Sequence, residues 1–179
     1  MKVFFSKMKG GAQIPPRMSM QEILCSFLGG FLGIGTCSFF SHYFFEPRDL
    51  VLIIGSMGAS AVLVYGAIKS PLAQPRNLIG GHVISGLVGV LSFQMIPNNV
   101  VLSSALAVSL AIAVMGLTKT LHPPGGATAL IAVIGGDKIH NLGFLYPFVP
   151  AGAGALVLLL VALISNNMAP NRKYPEYWF

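Results

Sequence analysis

Charge is what this chain lacks most. Only 9% of its 179 residues are Asp, Glu, Lys or Arg, against 54% hydrophobic, whereas a soluble domain carries about 25% charged residues. That deficit excludes an ordinary water-soluble fold and predicts an integral membrane protein in contact with the lipid bilayer. Acids are scarcer still: there are five, and no carboxylate pair falls within an apolar stretch. No cluster has metal-ligand spacing and no nucleophile has a visible base, so neither an enzyme nor a bound metal or cofactor is expected. The two cysteines, Cys25 and Cys37, share one apolar stretch. On a helix they stand about 18 Å apart along the axis, too far for a disulfide. The net charge of +6 does not point to nucleic acid, because the basic residues sit in short loops and tails instead of along one face with aromatic partners. Nor does the start of the chain contain an apolar core of signal-peptide length. Residues 1–19 read as a retained basic arm at the lipid surface.

What the chain has in plenty is apolar sequence cut into lengths. Five stretches free of Asp, Glu, Lys and Arg are long enough to span: Ile23–Phe45, Leu50–Ile68, Leu78–Ile96, Val100–Thr118 and Leu142–Ser165. A crossing helix needs about 20 apolar residues. A sixth stretch, Pro123–Gly136, has 14, or about 21 Å of helix. It must be tilted, partly unwound or re-entrant, with other helices around it, because irregular backbone is not tolerated against lipid. With six crossings and a cytoplasmic N-terminus, Lys2, Lys7, Lys9, Arg17, Lys69, Arg76, Lys119, Arg172 and Lys173 lie inside, and Arg48 and Lys138 outside. That sorting follows the positive-inside rule. If Pro123–Gly136 dips and returns, the C-terminus changes side.

Gly58-Ala59-Ser60-Ala61-Val62-Leu63 reads against Gly126-Ala127-Thr128-Ala129-Leu130-Ile131 at an offset of 68 residues. The same offset carries Leu78–Ile96 onto Tyr146–Ile164. The expected fold is therefore an all-α membrane protein with about six membrane segments, arranged as two inverted three-segment repeats. Repeat one covers about 20–97, repeat two about 98–165, within a transmembrane domain at 20–165, followed by a tail at 166–179. Short or broken helices are expected at 50–68 and 123–136. Inverted repeats of this kind form transporters or channels with the site between the halves. Recurrence of small residues for helix packing is the alternative. The spacings Gly29…Gly33, Ser85…Gly89 and Ala151…Ala155 read as such close contacts.

The site motif is His122-Pro123-Pro124-Gly125-Gly126. Proline suits the first helical turn, so a helix should start at Pro123 or Pro124, with its positive end and backbone N–H groups open to an anion. One helix end contributes only about 0.3–2 kcal/mol, so a second donor set is needed. Ser56, Gly58 and Ser60 are placed to give it, together with Thr128. The competing reading is that the motif merely ends one helix and starts another. His122 and His82 are candidates for gating or proton transfer, or else packing residues bonded to a neighbour. Gln74, Arg76 and Asn77, in the loop from Ser70 to Asn77, and Lys119 are candidates for guarding a cytoplasmic mouth. A pure topology role would also account for Arg76.

These three ordered motifs, with Gly80-Gly81-His82, resemble the HPP family of integral membrane proteins over about residues 20–165. The resemblance implies a four-helix membrane domain as the family is usually described. Because some members in chloroplasts and cyanobacteria transport nitrite, it also implies nitrite or a similar small inorganic anion as cargo. Some relatives carry CBS domains after the membrane part. Only 14 residues follow Ser165, so nucleotide regulation of that type is not expected. Without a convincing transit peptide, the cytoplasmic (inner) membrane is the expected location. A channel for a neutral molecule or protonated acid and a non-transporting scaffold are the rival readings, and a homo-oligomer is a further expectation.

Overall fold

In the computed structural model the described residues are 2–48 and 50–179, with side chains for all of them but Lys2. Met1 of the expected arm and the Lys2 side chain of the charge sorting lie outside them. The described residues are helical and form no strand. A short α1 (Lys2–Lys7) precedes an exposed, irregular stretch to Ser19. α2 (Met20–Phe40) then begins with a reciprocal cap: the Ser19 hydroxyl accepts from the Glu22 N–H, and the Glu22 carboxylate accepts from the Ser19 N–H. It runs on through a π turn at Ser41–Phe45 and a 3₁₀ turn at Glu46–Arg48.

Among the described residues, four helical stretches are long and apolar enough to cross a membrane: Met20–Arg48, α4 (Pro75–Met95), α5 (Val100–Leu117) and Gly143–Ser165. The last is not uniform. Val149 leaves helical geometry (φ −135°, ψ 113°), and only α8 (Ala153–Ser165) is regular. Two shorter helices pack among these. α3 (Gly55–Ala61) continues as a π turn through Val62–Gly66, and α6 covers Pro123–Ile134, ahead of a single turn α7 (Asp137–His140).

A short or broken helix within 50–68, as expected, is what forms, and the stretch does not span as one helix although its apolar length would allow it. Ile54 is extended (φ −125°, ψ 157°) and Ala67 leaves helical geometry. What remains is short and broken, like α6.

Glycine sets how closely α6 can approach its neighbours. A Cβ on Gly89 of α4 would stand 2.5 Å from the Ala129 carbonyl oxygen and 2.7 Å from the Ala132 Cβ. One on Gly125 would meet the Ser85 hydroxyl at 2.7 Å and the Met115 sulfur at 2.9 Å. The Ser85…Gly89 spacing is therefore the face of α4 on which α6 lies. Gly29 and Gly33 receive the Tyr65 ring in the same way, and Ala151 and Ala155 are fully buried.

Residues 166–179 fold back onto the bundle. Arg172 donates to the carbonyls of Tyr65 and Glu22, to the Ser26 hydroxyl and to the Asn166 side-chain oxygen at 2.8–3.1 Å. Tyr174 donates its hydroxyl to the Ala73 carbonyl at 2.7 Å, and the Glu176 N–H donates to Gln74 Oε1 at 2.9 Å. Burial pushes the Tyr174 phenol above its ordinary range. Both cysteines are free.

Candidate functional site

The start of α6 is closed to an anion by its own sequence. His122 is the N-cap residue, in extended geometry (φ −140°, ψ 106°), and Pro123 and Pro124 occupy the first two helical positions. Prolines carry no N–H, and the Gly125 N–H donates to the His122 carbonyl at 2.8 Å. The first three positions thus offer no free backbone donor. The two short helices also do not point their amino ends at each other. Ser56, at the start of α3, meets Thr128, which lies in the middle of α6, while Ser60 meets His122, at the start of α6. α3 and α6 therefore lie side by side and antiparallel, with their amino ends staggered. The facing-ends arrangement expected from sequence is replaced by a side-chain cluster.

That cluster is one continuous hydrogen-bonded chain through Ser56, Thr128, His82, Ser60 and His122. The contacts are Ser56 Oγ to Thr128 Oγ1 at 2.9 Å, Thr128 Oγ1 to His82 Nδ1 at 2.7 Å and His82 Nε2 to Ser60 Oγ at 2.7 Å. It continues from Ser60 Oγ to His122 Nε2 at 2.9 Å and ends where His122 Nδ1 meets the Leu72 carbonyl at 2.8 Å. All five side chains have no solvent exposure. The imidazoles stand edge to face, with centroids 5.1 Å apart. Ser60 and Thr128, which are 68 residues apart, bind the two nitrogens of the same His82 ring.

The last bond fixes the rest, given neutral rings, because a carbonyl only accepts. His122 must carry its proton on Nδ1 and accept at Nε2. Ser60 then donates to His122, so His82 donates to Ser60 from Nε2 and accepts at Nδ1. Thr128 then donates to His82, and its alternative acceptor, Ser56 Oγ at 2.9 Å, goes without that proton. From Thr128 to His122 every donor is matched to an acceptor, as low-dielectric surroundings require. The Pro124 carbonyl lies 3.2 Å from Thr128 Oγ1 and receives no proton in this arrangement.

The other expected residues lie around this chain. Pro124 and Gly125 are buried beneath it. Pro123 and Gly126 line an apolar groove of about 590 Å³ between α5 and α6, with Val108, Ile112, Met115 and Leu130. Gly58 is exposed and nothing stands within 4 Å of where its Cβ would be. Gln74 donates to the carbonyls of Ile68 and Ser70, Asn77 to that of Leu121, and Arg76 to that of Thr118. These three brace the connection from a 3₁₀ turn at Pro71–Ala73 into α4 against the segment before α6. Lys119 is exposed, in left-handed geometry at φ 57°. Among the described residues no group of three or more metal-ligating side chains occurs.

Two contributors have no place among the expected site residues. Tyr146 donates to the Thr128 carbonyl at 2.8 Å, and the Leu72 carbonyl ends the chain; Ser85, expected as a helix contact, packs on Gly125. The 68-residue offset starts its second match at Tyr146, which was a usable signal. A main-chain carbonyl leaves none.

Long apolar helices around a buried polar line define a polytopic membrane protein. The chain belongs to the HPP transmembrane family, whose model matches residues 15–175. It is 46% identical over 179 residues to a transmembrane protein of Dictyostelium discoideum, covering 98% of this chain and 57% of that one. A second transmembrane protein of the same organism is 45% identical over 168 residues, covering 92% of this chain and 59% of the relative. The chain thus spans less than two thirds of either relative. No solved structure matches it.

Proposed function

We propose that this protein carries a small inorganic anion, nitrite by the family resemblance, across the membrane past the Ser56–Thr128–His82–Ser60–His122 chain. The carrying observation is that five polar side chains, two of them imidazoles, are fully buried together in a protein this poor in charge. Polar and ionisable groups at such depth are costly and mark substrate or ion paths. The structure described here is then the closed state, in which hydroxyls and imidazoles bind one another. On opening, the same donors turn to the anion.

Two further readings belong with this one. An inverted repeat is supported by the way Ser60 and Thr128 flank His82 from equivalent positions. An even number of crossings is supported by Arg172 lying against Glu22 and Ser26 at the start of α2. Lys7, Lys9, Arg17, Lys69, Arg76, Lys119, Arg172 and Lys173 then share one face, which the positive-inside rule makes cytoplasmic.

The test is nitrite uptake by the purified full chain in liposomes, measured against protein-free liposomes. Uptake above that background is expected. Folded protein that moves no nitrite would refute transport of this anion.

A further inference from the structure

We propose that the buried chain is a one-proton relay and that each anion crosses together with a proton, a reading that rests on the anion transport proposed above. At rest the four donors from Thr128 onward point the same way, toward the Leu72 carbonyl. A proton delivered to the Thr128 hydroxyl can pass along that order without any side chain moving. Thr128 gives its proton to His82 Nδ1, His82 Nε2 to Ser60, and Ser60 to His122 Nε2. The three bonds between Thr128 and His122 are kept, with their direction reversed.

In the reversed state His122 is an imidazolium that donates from Nε2 to Ser60 and from Nδ1 to the Leu72 carbonyl. His82 has exchanged its proton from Nε2 to Nδ1, and Thr128 donates to Ser56 or to the Pro124 carbonyl, which stands ready at 3.2 Å. No polar atom is orphaned. The proton leaves when the His122 Nδ1–H parts from Leu72 toward water, so one proton enters at Thr128 and one departs at His122.

The charge makes the anion necessary. α3 brings only hydroxyls to the chain, and α4 brings His82, with Arg76 at its start held by the Thr118 carbonyl. α5 ends in the exposed Lys119, α6 contributes no titratable side chain beyond its cap His122, and the Gly143–Ser165 stretch brings the neutral Tyr146 hydroxyl. The 70–74 loop adds Gln74, and Tyr174 stands behind it. Glu176 follows Tyr174 on the tail, with its N–H on Gln74 Oε1, and among the described residues no carboxylate bonds to either imidazole. Among those residues an imidazolium here has no bonded counter-ion, and an unpaired buried charge is costly. An arriving anion supplies the missing partner, and the pair crosses without net charge.

The experiment uses the full chain in liposomes near neutral pH with a lumenal pH dye and a potassium–valinomycin voltage clamp. Passive nitrous acid leakage in protein-free liposomes is subtracted. An inward nitrite gradient should acidify the lumen in step with nitrite entry, at a rate that does not change with voltage. Ser60→Ala, which cuts the chain between the imidazoles, should lower this coupled flux about tenfold or more, as expected for a step that loses buried hydrogen bonds. Nitrite entry that follows voltage and leaves lumenal pH unchanged would overturn the relay and leave anion transport standing. Coupled flux undiminished in folded Ser60→Ala would also overturn it. Absence of nitrite flux in folded wild type would remove both proposals. The voltage comparison on wild type decides even if Ser60→Ala does not fold.

Discussion

Replacing Thr128 by valine keeps the side-chain volume and removes one oxygen from the middle of the chain. That oxygen contacts His82 Nδ1 at 2.7 Å, Ser56 Oγ at 2.9 Å and the Pro124 carbonyl at 3.2 Å. Interhelical hydrogen bonds in membranes average about 0.6 kcal/mol each, so the contacts with His82 and Ser56 set a floor of about 1 kcal/mol. Two of the partners are left unmatched in a fully buried place, at about 1–3 kcal/mol for each orphaned group. The expected loss is therefore about 2–4 kcal/mol. Unfolding of the purified protein in mixed detergent micelles would measure it. Adding Ser56→Ala removes one orphan, so the double variant should lose less than the sum of the singles by about 1 kcal/mol. A Thr128→Val protein within about 0.5 kcal/mol of wild type would refute the claim that the hydroxyl is held in a matched, dry chain.

Other consequences follow from the same geometry. Gly89→Val should destabilise by about 1–3 kcal/mol through overpacking against Ala129 and Ala132, whereas Gly58→Val, with open space around it, should fall within about 0.5 kcal/mol of wild type; the same unfolding assay compares them. Arg172→Met should cost about 2 kcal/mol by releasing the tail from Tyr65, Glu22 and Ser26, and limited proteolysis should then cleave after residue 165. Tyr174→Phe should cost about 1 kcal/mol near neutral pH by losing the bond to Ala73. Because burial raises the Tyr174 ionisation in the folded protein, its contribution is present below the unfolded value of about 10 and is lost as pH rises above it. The Phe variant should therefore lose stability less steeply than wild type above about pH 10.

Much of this was legible in the apolar lengths and in proline. Pro123 and Pro124 mark the start of α6 because their rings suit a first turn, and the lack of charge around His82 marks it as exceptional. The same two prolines also remove the N–H groups that an anion would use, a consequence readable from their chemistry but masked by the attraction of a glycine-rich helix start. Leu50–Ile68 reads as a span because hydropathy does not register that Ile54 is extended or that the chain leaves helical geometry at Ala67. The antiparallel stagger of α3 and α6 depends on where α4 puts His82, which no local pattern encodes. The docking of Arg172 and Tyr174 was hidden for a related reason: their partners are main-chain carbonyls on distant segments, and such acceptors leave no trace in side-chain sequence.

The matched chain itself is tested most directly by nitrogen-15 spectroscopy of the two buried histidines, in the full chain in lipid bilayers near neutral pH. The account predicts opposite neutral tautomers, with the proton of His122 on Nδ1 and that of His82 on Nε2, each resistant to solvent exchange. Two rings in the same tautomer, or rings exchanging freely with water, would contradict it.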